Sequence, residues 1–143
     1  MKKTRLRNIG IFAVMMLIVG MYITPTIAKA GYEYYYVVAF DTDGNVDYTT
    51  TEVKNTSSSV RMRCTSAEGD DCYYSGYVYA VTDYGNRYDA SGGNYQNFYR
   101  GDARDLVNWV NERGYNRACV KCVGYDIDPI HGSVFGGYWS PDI

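Results

Sequence analysis

The feature that most constrains the fold of this chain is a series of short segments in which every second residue is apolar or aromatic. In residues 31–41 (GYEYYYVVAFD), one face of an extended chain would carry Tyr32, Tyr34, Tyr36, Val38 and Phe40. Successive side chains of a strand point to opposite faces, so this period of two predicts β-strands. Comparable runs occupy residues 46–53, 58–64, 73–82, 94–100, 117–127 and 133–140. Turns rich in Gly, Asp and Asn separate them, which predicts a mainly β fold, a small antiparallel β-sandwich or meander.

Two of the turns resemble each other in sequence. Residues 39–45 (AFDTDGN) recur in related form as residues 80–86 (AVTDYGN). In these copies Gly44 and Gly85 would take the positive φ that hairpin loops require. Each copy therefore predicts a hairpin between two strands.

One segment departs from the β pattern. In residues 101–114 (GDARDLVNWVNERG), Asp102 can cap a helix, and Leu106, Val107 and Val110 form an apolar stripe at helical spacing. Gly114 follows as a stop signal. The sequence predicts one short helix, at about residues 102–113, that packs over the sheet.

The first 30 residues have the organisation of a secretory signal peptide. A basic head (Lys2, Lys3, Arg5 and Arg7) precedes an uncharged apolar run at residues 9–23, and the small-residue pattern at 28–30 (AKA) follows. An uncleaved anchor is the alternative, but a spanning helix needs about 20 apolar residues and this run is shorter. We expect cleavage near Ala30, a membrane contact only during export, and a single secreted domain at residues 31–143.

Removal of this leader makes the protein acidic. The whole chain has 14 basic and 16 acidic residues, and five basic but no acidic residues lie in the leader. The mature domain therefore carries 9 basic against 16 acidic side chains, a net charge of −7. Generic binding to nucleic acid or to anionic lipid needs a cationic surface, so the charge argues against both partners.

The mature domain contains four cysteines: Cys64, Cys72, Cys119 and Cys122. An even number in a small exported domain favours disulfides, for which three pairings are possible. A local Cys64–Cys72 bridge is easy to draw across a polar loop. Three residues of strand span about 10 Å, whereas bridged Cα atoms lie within about 7 Å, so a Cys119–Cys122 bridge needs a turn there. A thioredoxin-like motif and a four-cysteine zinc site are weaker alternatives.

Two sets of residues could carry chemistry. Oxygen donors stand at calcium-loop spacing at Asp41, Asp43, Asn45, Asp47 and Glu52, but Val46 occupies the glycine position and a plain hairpin is the simpler interpretation. His131 is the only histidine, with Asp126 and Asp128 nearby, and no known catalytic motif surrounds it. We therefore predict no catalytic residue, no cofactor and no metal.

Tyrosine is the most conspicuous component of the mature domain, with 16 residues in 113. Tyr makes binding contacts at a low cost in conformational entropy. We therefore expect a binding surface for a sugar or cell-wall polymer, with Tyr77, Tyr79, Tyr138 and Trp139 as its candidate residues. The alternative is that tyrosine fills a small sandwich whose faces are only partly buried.

Two segments in the C-terminal part of the chain carry a resemblance to a known family. Residues 110–115 (VNERGY) and 136–142 (GGYWSPD) resemble small secreted proteins of Gram-positive bacteria that carry a domain of unknown function, many of which end in a Trp-Ser-Pro-Asp tail. The four cysteines are not part of that pattern. The Tyr- and Gly-rich β character is also similar, more weakly, to lactococcin-972-like bacteriocins. Neither resemblance implies a catalytic residue.

Together these observations predict a secreted, non-enzymatic protein that acts by surface recognition. Its target would be a cell envelope, a polysaccharide or a competitor cell, the last in a bacteriocin-like role. Two alternatives remain open at this point. One is a small extracellular hydrolase that uses carboxylates and His131, and the other is a structural protein of the cell surface or matrix.

Overall fold

The computed structural model describes residues 31–69 and 71–143, so the predicted signal peptide (1–30) lies outside the described residues. Within the described residues the chain forms ten β-strands and no helix. The strands are β1 (Tyr34–Phe40), β2 (Val46–Tyr48), β3 (Glu52–Val53), β4 (Val60–Ala67), β5 (Tyr73–Val81), β6 (Arg87–Asp89), β7 (Gln96–Phe98), β8 (Ala103–Leu106), β9 (Arg117–Tyr125) and β10 (Ser133–Ser140). None of these described residues contributes a helix of the length and apolarity that a membrane span requires.

The strands form two antiparallel sheets. The first sheet has the order β1-β10-β4-β8. The second has the order β2-β9-β5-β6, and two short strands extend it, β3 beside β9 and β7 beside β5. The predicted antiparallel β fold is therefore confirmed.

The two sheets share one hydrophobic core. The period-two pattern of β1 buries Tyr36, Val38 and Phe40, and the pattern of β4 buries Val60 and Met62. From the second sheet, β5 and β9 contribute the buried side chains Tyr74, Val78, Ala118, Val120 and Cys122 to the same cluster. Alternation thus places every second side chain between the sheets and leaves the others on the two outer faces.

The two similar turns have the predicted backbone but different roles. Gly44 and Gly85 have φ values of 79° and 83°, as hairpin-type turns require. Residues 82–86 close a true hairpin, because β5 pairs with β6. Residues 41–45 instead carry the chain from the first sheet to the second, since β1 pairs with β10 and β2 pairs with β9. The prediction of a hairpin at the first copy is therefore wrong.

The predicted helix at residues 102–113 is also wrong. Residues 103–106 form β8, which pairs with β4 at the edge of the first sheet, and Leu106 still reaches the core. Asp102, expected to cap a helix, accepts the backbone N–H of Tyr99 behind it. The Asn108 side chain then accepts the N–H of Val110 and starts a turn. Edge-strand pairing and these side-chain bonds satisfy the backbone groups that a helix would have satisfied.

All four cysteines are buried free thiols in this structure, so the predicted disulfides are not present. Cys122 faces the core and Cys119 faces the other side of β9, because the strand runs straight through both positions. A bridge between these two cysteines is therefore excluded by geometry. Burial raises the pKa of Cys64 to about 11 and raises the pKa of Cys122 well above its ordinary value, so both thiols are protonated at neutral pH.

The C-terminal tail is held by a buried ion pair that the sequence did not suggest. The fully buried Lys54 ammonium lies 3.2 Å from the Asp142 carboxylate and donates to the carbonyls of Ser58 and Pro141. The same carboxylate accepts the backbone N–H groups of Asn55 and Thr56, at 2.8 and 3.1 Å. Burial alone would raise the pKa of Asp142, but these hydrogen bonds and the Lys54 charge together lower it.

Candidate functional site

The four predicted binding residues do not lie together. Tyr77 and Tyr79 are on the outer face of the second sheet, where they are partly exposed. Tyr138 is 41% exposed, on the outer face of the first sheet. Trp139 is 1% exposed in the core and packs against Tyr34, so its prediction as a surface binding residue is wrong. Only Tyr77 and Tyr79 therefore share a surface.

The residues at calcium-loop spacing do not form a metal site. Asp43 accepts the N–H of Ile127, and Asp47 accepts the N–H groups of Ala39 and Tyr48. Among the described residues, no group of three or more His, Cys, Asp and Glu side chains is placed to hold a metal ion. The loop therefore uses its carboxylates to hold backbone turns.

His131 lies in an exposed turn between β9 and β10. Its Nδ1 is 2.7 Å from the Asp128 carboxylate, and its side chain is 78% exposed. The hydrogen bond from His131 is the main cause that lowers the pKa of Asp128. Ser133, the nearest serine in sequence, is buried. The His131–Asp128 pair is therefore open to solvent, and the serine that follows it in sequence is enclosed in the protein.

A tyrosine-lined groove lies on the outer face of the second sheet. Alternation along β5 puts Tyr73, Ser75 and Tyr77 on this face, and the register brings Tyr125 of β9 opposite Tyr73 and Asn97 of β7 opposite Ser75. Together with Tyr95 these side chains surround a cavity of about 230 Å³. The groove (Tyr73, Ser75, Tyr77, Tyr95, Asn97 and Tyr125) is built entirely from residues on or beside three neighbouring strands.

The walls of the groove are held in place by ring contacts. The Tyr73 ring stacks on Tyr125 with centroids 5.3 Å apart, and its centroid lies 5.0 Å from that of Tyr99 on another side. Across the groove, the Tyr77 and Tyr95 centroids are 5.2 Å apart. Such contacts contribute about 0.5–1.5 kcal/mol each beyond the area they bury, so the rings are pre-organised before any ligand arrives.

The lining of the groove is polar but uncharged. At its floor the Ser75 hydroxyl donates to the Asn97 side-chain oxygen at 2.6 Å, which leaves the Asn97 amide N–H groups as donors. Desolvation raises the pKa of the Tyr77 phenol, with smaller contributions from the neighbouring Tyr125 and Tyr95 phenols. The raised pKa keeps the Tyr77 phenol neutral at physiological pH. None of the lining side chains is a nucleophile beside a base.

The size of the groove limits what it can bind. Pockets that enclose small-molecule ligands have volumes of roughly 300–1,000 Å³. A shallow cavity of about 230 Å³ holds one ring-sized unit, with the rest of the ligand on the open sheet surface. The arrangement suits a repeating polymer that crosses the face better than an enclosed metabolite.

The outer face of the first sheet has a different character. A cavity of about 330 Å³ lies among Glu33, Arg61, Arg63, Ala103, Arg104 and Asp105. Its cations are neutralised locally: Arg61 makes a two-bond pair with Asp105, and Arg63 pairs with Glu33. Ion pairs therefore dominate the lining of this cavity, and no aromatic side chain is among its lining residues.

The sequence indicates one wall of the groove but not the others. The alternation in residues 73–82 places Tyr73, Ser75, Tyr77 and Tyr79 on one face, and this pattern can be recognised in the amino-acid sequence alone. The contributions of Tyr125, Tyr95 and Asn97 depend on which strands are neighbours. That information is not in the local pattern.

Comparison with known proteins places this chain in a family. A family model described as a protein of unknown function, DUF2712, matches residues 24–143. The chain belongs to the DUF2712 family. The match covers the whole described domain and agrees with the expected domain of unknown function. No curated protein and no solved structure is significantly similar to this chain.

Proposed function

We propose that this DUF2712 protein is a secreted, non-enzymatic protein that binds polysaccharide through the tyrosine groove. The observation that carries this proposal is the neutral cavity between pre-organised tyrosine rings, with the Ser75–Asn97 hydrogen bond at its floor. A sugar ring has apolar C–H faces and hydroxyl edges. Aromatic rings cover such faces, and phenol, hydroxyl and amide groups bond the edges.

The leader and the family resemblance support the location and the class of target. Cleavage near Ala30 would release the domain at residues 31–143 outside the cytoplasm. The Trp-Ser-Pro-Asp tail resembles that of secreted Gram-positive proteins, so the target in this proposal is a bacterial cell envelope, the producer's own or a competitor's. The exposed position of His131, which is not one of the residues that line the groove, favours recognition over hydrolysis.

The direct test is binding of the purified protein to isolated Gram-positive cell walls and to a panel of soluble neutral polysaccharides (galactan, mannan and N-acetylglucosamine oligomers). We expect retention by at least one of these, and an increase in Kd of about tenfold or more for Tyr77→Ala and for Tyr125→Ala. Tyrosine is enriched among the few interface residues whose truncation costs about 2 kcal/mol or more, and a tenfold change in Kd corresponds to about 1.4 kcal/mol.

The matched control is Tyr138→Ala, which removes a partly exposed tyrosine from the other sheet and should leave binding unchanged. Circular dichroism of each variant checks that the fold is intact. Growth of related bacteria in the presence of the protein distinguishes a competitor-directed role from binding alone. Failure to bind every wall and polysaccharide tested would contradict the proposal, as would equal losses in the groove and control variants.

A further inference from the structure

Four side chains beside the groove form a cluster of cations and aromatic rings. The Arg87 guanidinium lies 4.2 Å from the centroid of the Tyr48 ring, and the Lys121 ammonium lies 5.6 Å from that of Tyr79. The two rings meet edge to face with centroids 6.2 Å apart. We call these residues (Tyr48, Tyr79, Arg87 and Lys121) the cationic cluster.

The cationic cluster is continuous with the groove. Lys121 on β9 is directly opposite Tyr77 on β5 and, on its other side, opposite Tyr48 on β2. Cross-strand partners share a face of a sheet and lie about 5 Å apart. Because Tyr77 is also a wall of the groove, a ligand that lies along β5 would pass from the groove onto Lys121 and then Arg87.

The two cations are not neutralised by acidic side chains of the described protein. Within residues 31–69 and 71–143, no acidic side chain forms an ion pair with Arg87 or Lys121. Arg61, Arg63, Arg104 and Lys54 each have such a partner. The acidic residue opposite Tyr79, Asp89, accepts the N–H and hydroxyl of Ser91 instead.

We infer that the polysaccharide bound by the groove is anionic, and that Arg87 and Lys121 hold a carboxylate or phosphate on the sugar unit next to the one in the groove. This inference rests on the proposed function and specifies its ligand. The aromatic faces fix the positions of both cations by cation–π contact, so little rotamer freedom is lost when an anion binds. The Arg87 guanidinium and the Lys121 ammonium together provide the charged hydrogen-bond donors that carboxylate and phosphate oxygens prefer.

The net charge of −7 on residues 31–143 repels polyanions in general, so only a ligand that reaches the two local cations gains from charge attraction. At physiological ionic strength the screening length is about 8 Å, so distant carboxylates contribute little at the site. The attraction between a bound anion and cations within hydrogen-bond reach of it is screened much less. The domain should therefore bind an anionic glycan through this face while it fails to bind nucleic acid.

The test compares matched polymer pairs at about 0.15 M NaCl, near physiological ionic strength, by isothermal titration calorimetry. The probes are polygalacturonate with its carboxyl-reduced form, and a phosphomannan with its dephosphorylated form. We expect the wild-type protein to bind one anionic polymer about tenfold more tightly than its neutral counterpart, as one charge-assisted hydrogen bond implies. The pair that shows the preference identifies the carboxylate or the phosphate as the recognised group.

The double variant Arg87→Gln/Lys121→Gln should bind the anionic and neutral forms equally, and Arg87→Lys should keep part of the preference. The control Arg104→Gln removes a cation from the other sheet and should keep all of it. Equal wild-type binding to anionic and neutral forms would overturn this inference and leave the proposed function standing. If the protein binds none of these polymers, none of the neutral panel and none of the isolated cell walls, both the inference and the proposed function are overturned.

Discussion

Replacement of the Asp142 side chain by that of alanine should be among the most destabilising single substitutions outside the apolar core. Its carboxylate pairs with the buried Lys54 ammonium and accepts three further hydrogen bonds, two from backbone N–H groups and one from the Thr56 hydroxyl at 2.8 Å. Asp142→Ala would leave the Lys54 charge buried without a counter-ion. Breaking a buried pair in this way costs about 3–5 kcal/mol, a large share of the roughly 5–15 kcal/mol that stabilises a typical domain.

Urea unfolding, followed by tryptophan fluorescence and circular dichroism, measures this loss. Asp142→Asn keeps an acceptor without the charge and should lose less, about 1–3 kcal/mol, so it remains measurable if the alanine variant does not fold. The matched control is Asp105→Ala, which breaks a half-exposed ion pair with Arg61 and should cost less than about 1 kcal/mol. If Asp142→Ala is no more destabilising than Asp105→Ala, the tail contact does not stabilise the fold.

Acid titration, a glycine substitution and thiol labelling provide three further predictions. Because the pKa of Asp142 in the folded protein lies below its ordinary value of 3.8, the stability that the ionised carboxylate contributes should be complete above about pH 4 and lost as the pH falls further. The urea midpoints of wild type and Asp142→Asn should therefore converge in acid. A constant difference between the two midpoints across this pH range would contradict the prediction. In Gly124→Ala the new Cβ would lie 2.6 Å from the Phe40 ring, so we expect the free energy of unfolding to fall by about 1–3 kcal/mol. A loss below about 0.5 kcal/mol would refute the close packing of Gly124 against Phe40. The thiols of the four buried cysteines should resist alkylation until the protein unfolds. A peptide map that shows a disulfide between Cys119 and Cys122 would disprove their placement on opposite faces of β9.

Much of the fold could be predicted from the alternation of residues along each strand. The buried set in β1 and β4 follows directly from that period, because one sheet face meets the core. The short strand β6 gave no such signal: it has three residues, all exposed, and exists through its hairpin with β5. The helix prediction at residues 102–113 was wrong because two buried residues, Leu106 and Val110, happen to stand at helical spacing. An edge strand and the turn after it bring these two side chains to the core instead.

The site was less predictable than the fold, because it depends on contacts between distant residues. Trp139 carries the most suggestive side chain for sugar binding, yet its position on β10 directs the ring into the core. Lys54 gave no signal either, since its burial depends on a carboxylate that lies 88 residues further along the chain. Tyr77 was identified from its strand, whereas its partners in the groove required the order of the strands in the second sheet.

Binding of polysaccharide by the tyrosine groove can be tested residue by residue with a chemical-shift titration by NMR. Soluble fragments released from Gram-positive cell walls would be added to the isotope-labelled protein, and the perturbed signals would be mapped onto the two sheets. We expect saturable shifts centred on Tyr73, Tyr77, Asn97 and Tyr125. Shifts confined to the first sheet around Tyr138, or no shift at saturating fragment concentration, would contradict binding in the groove.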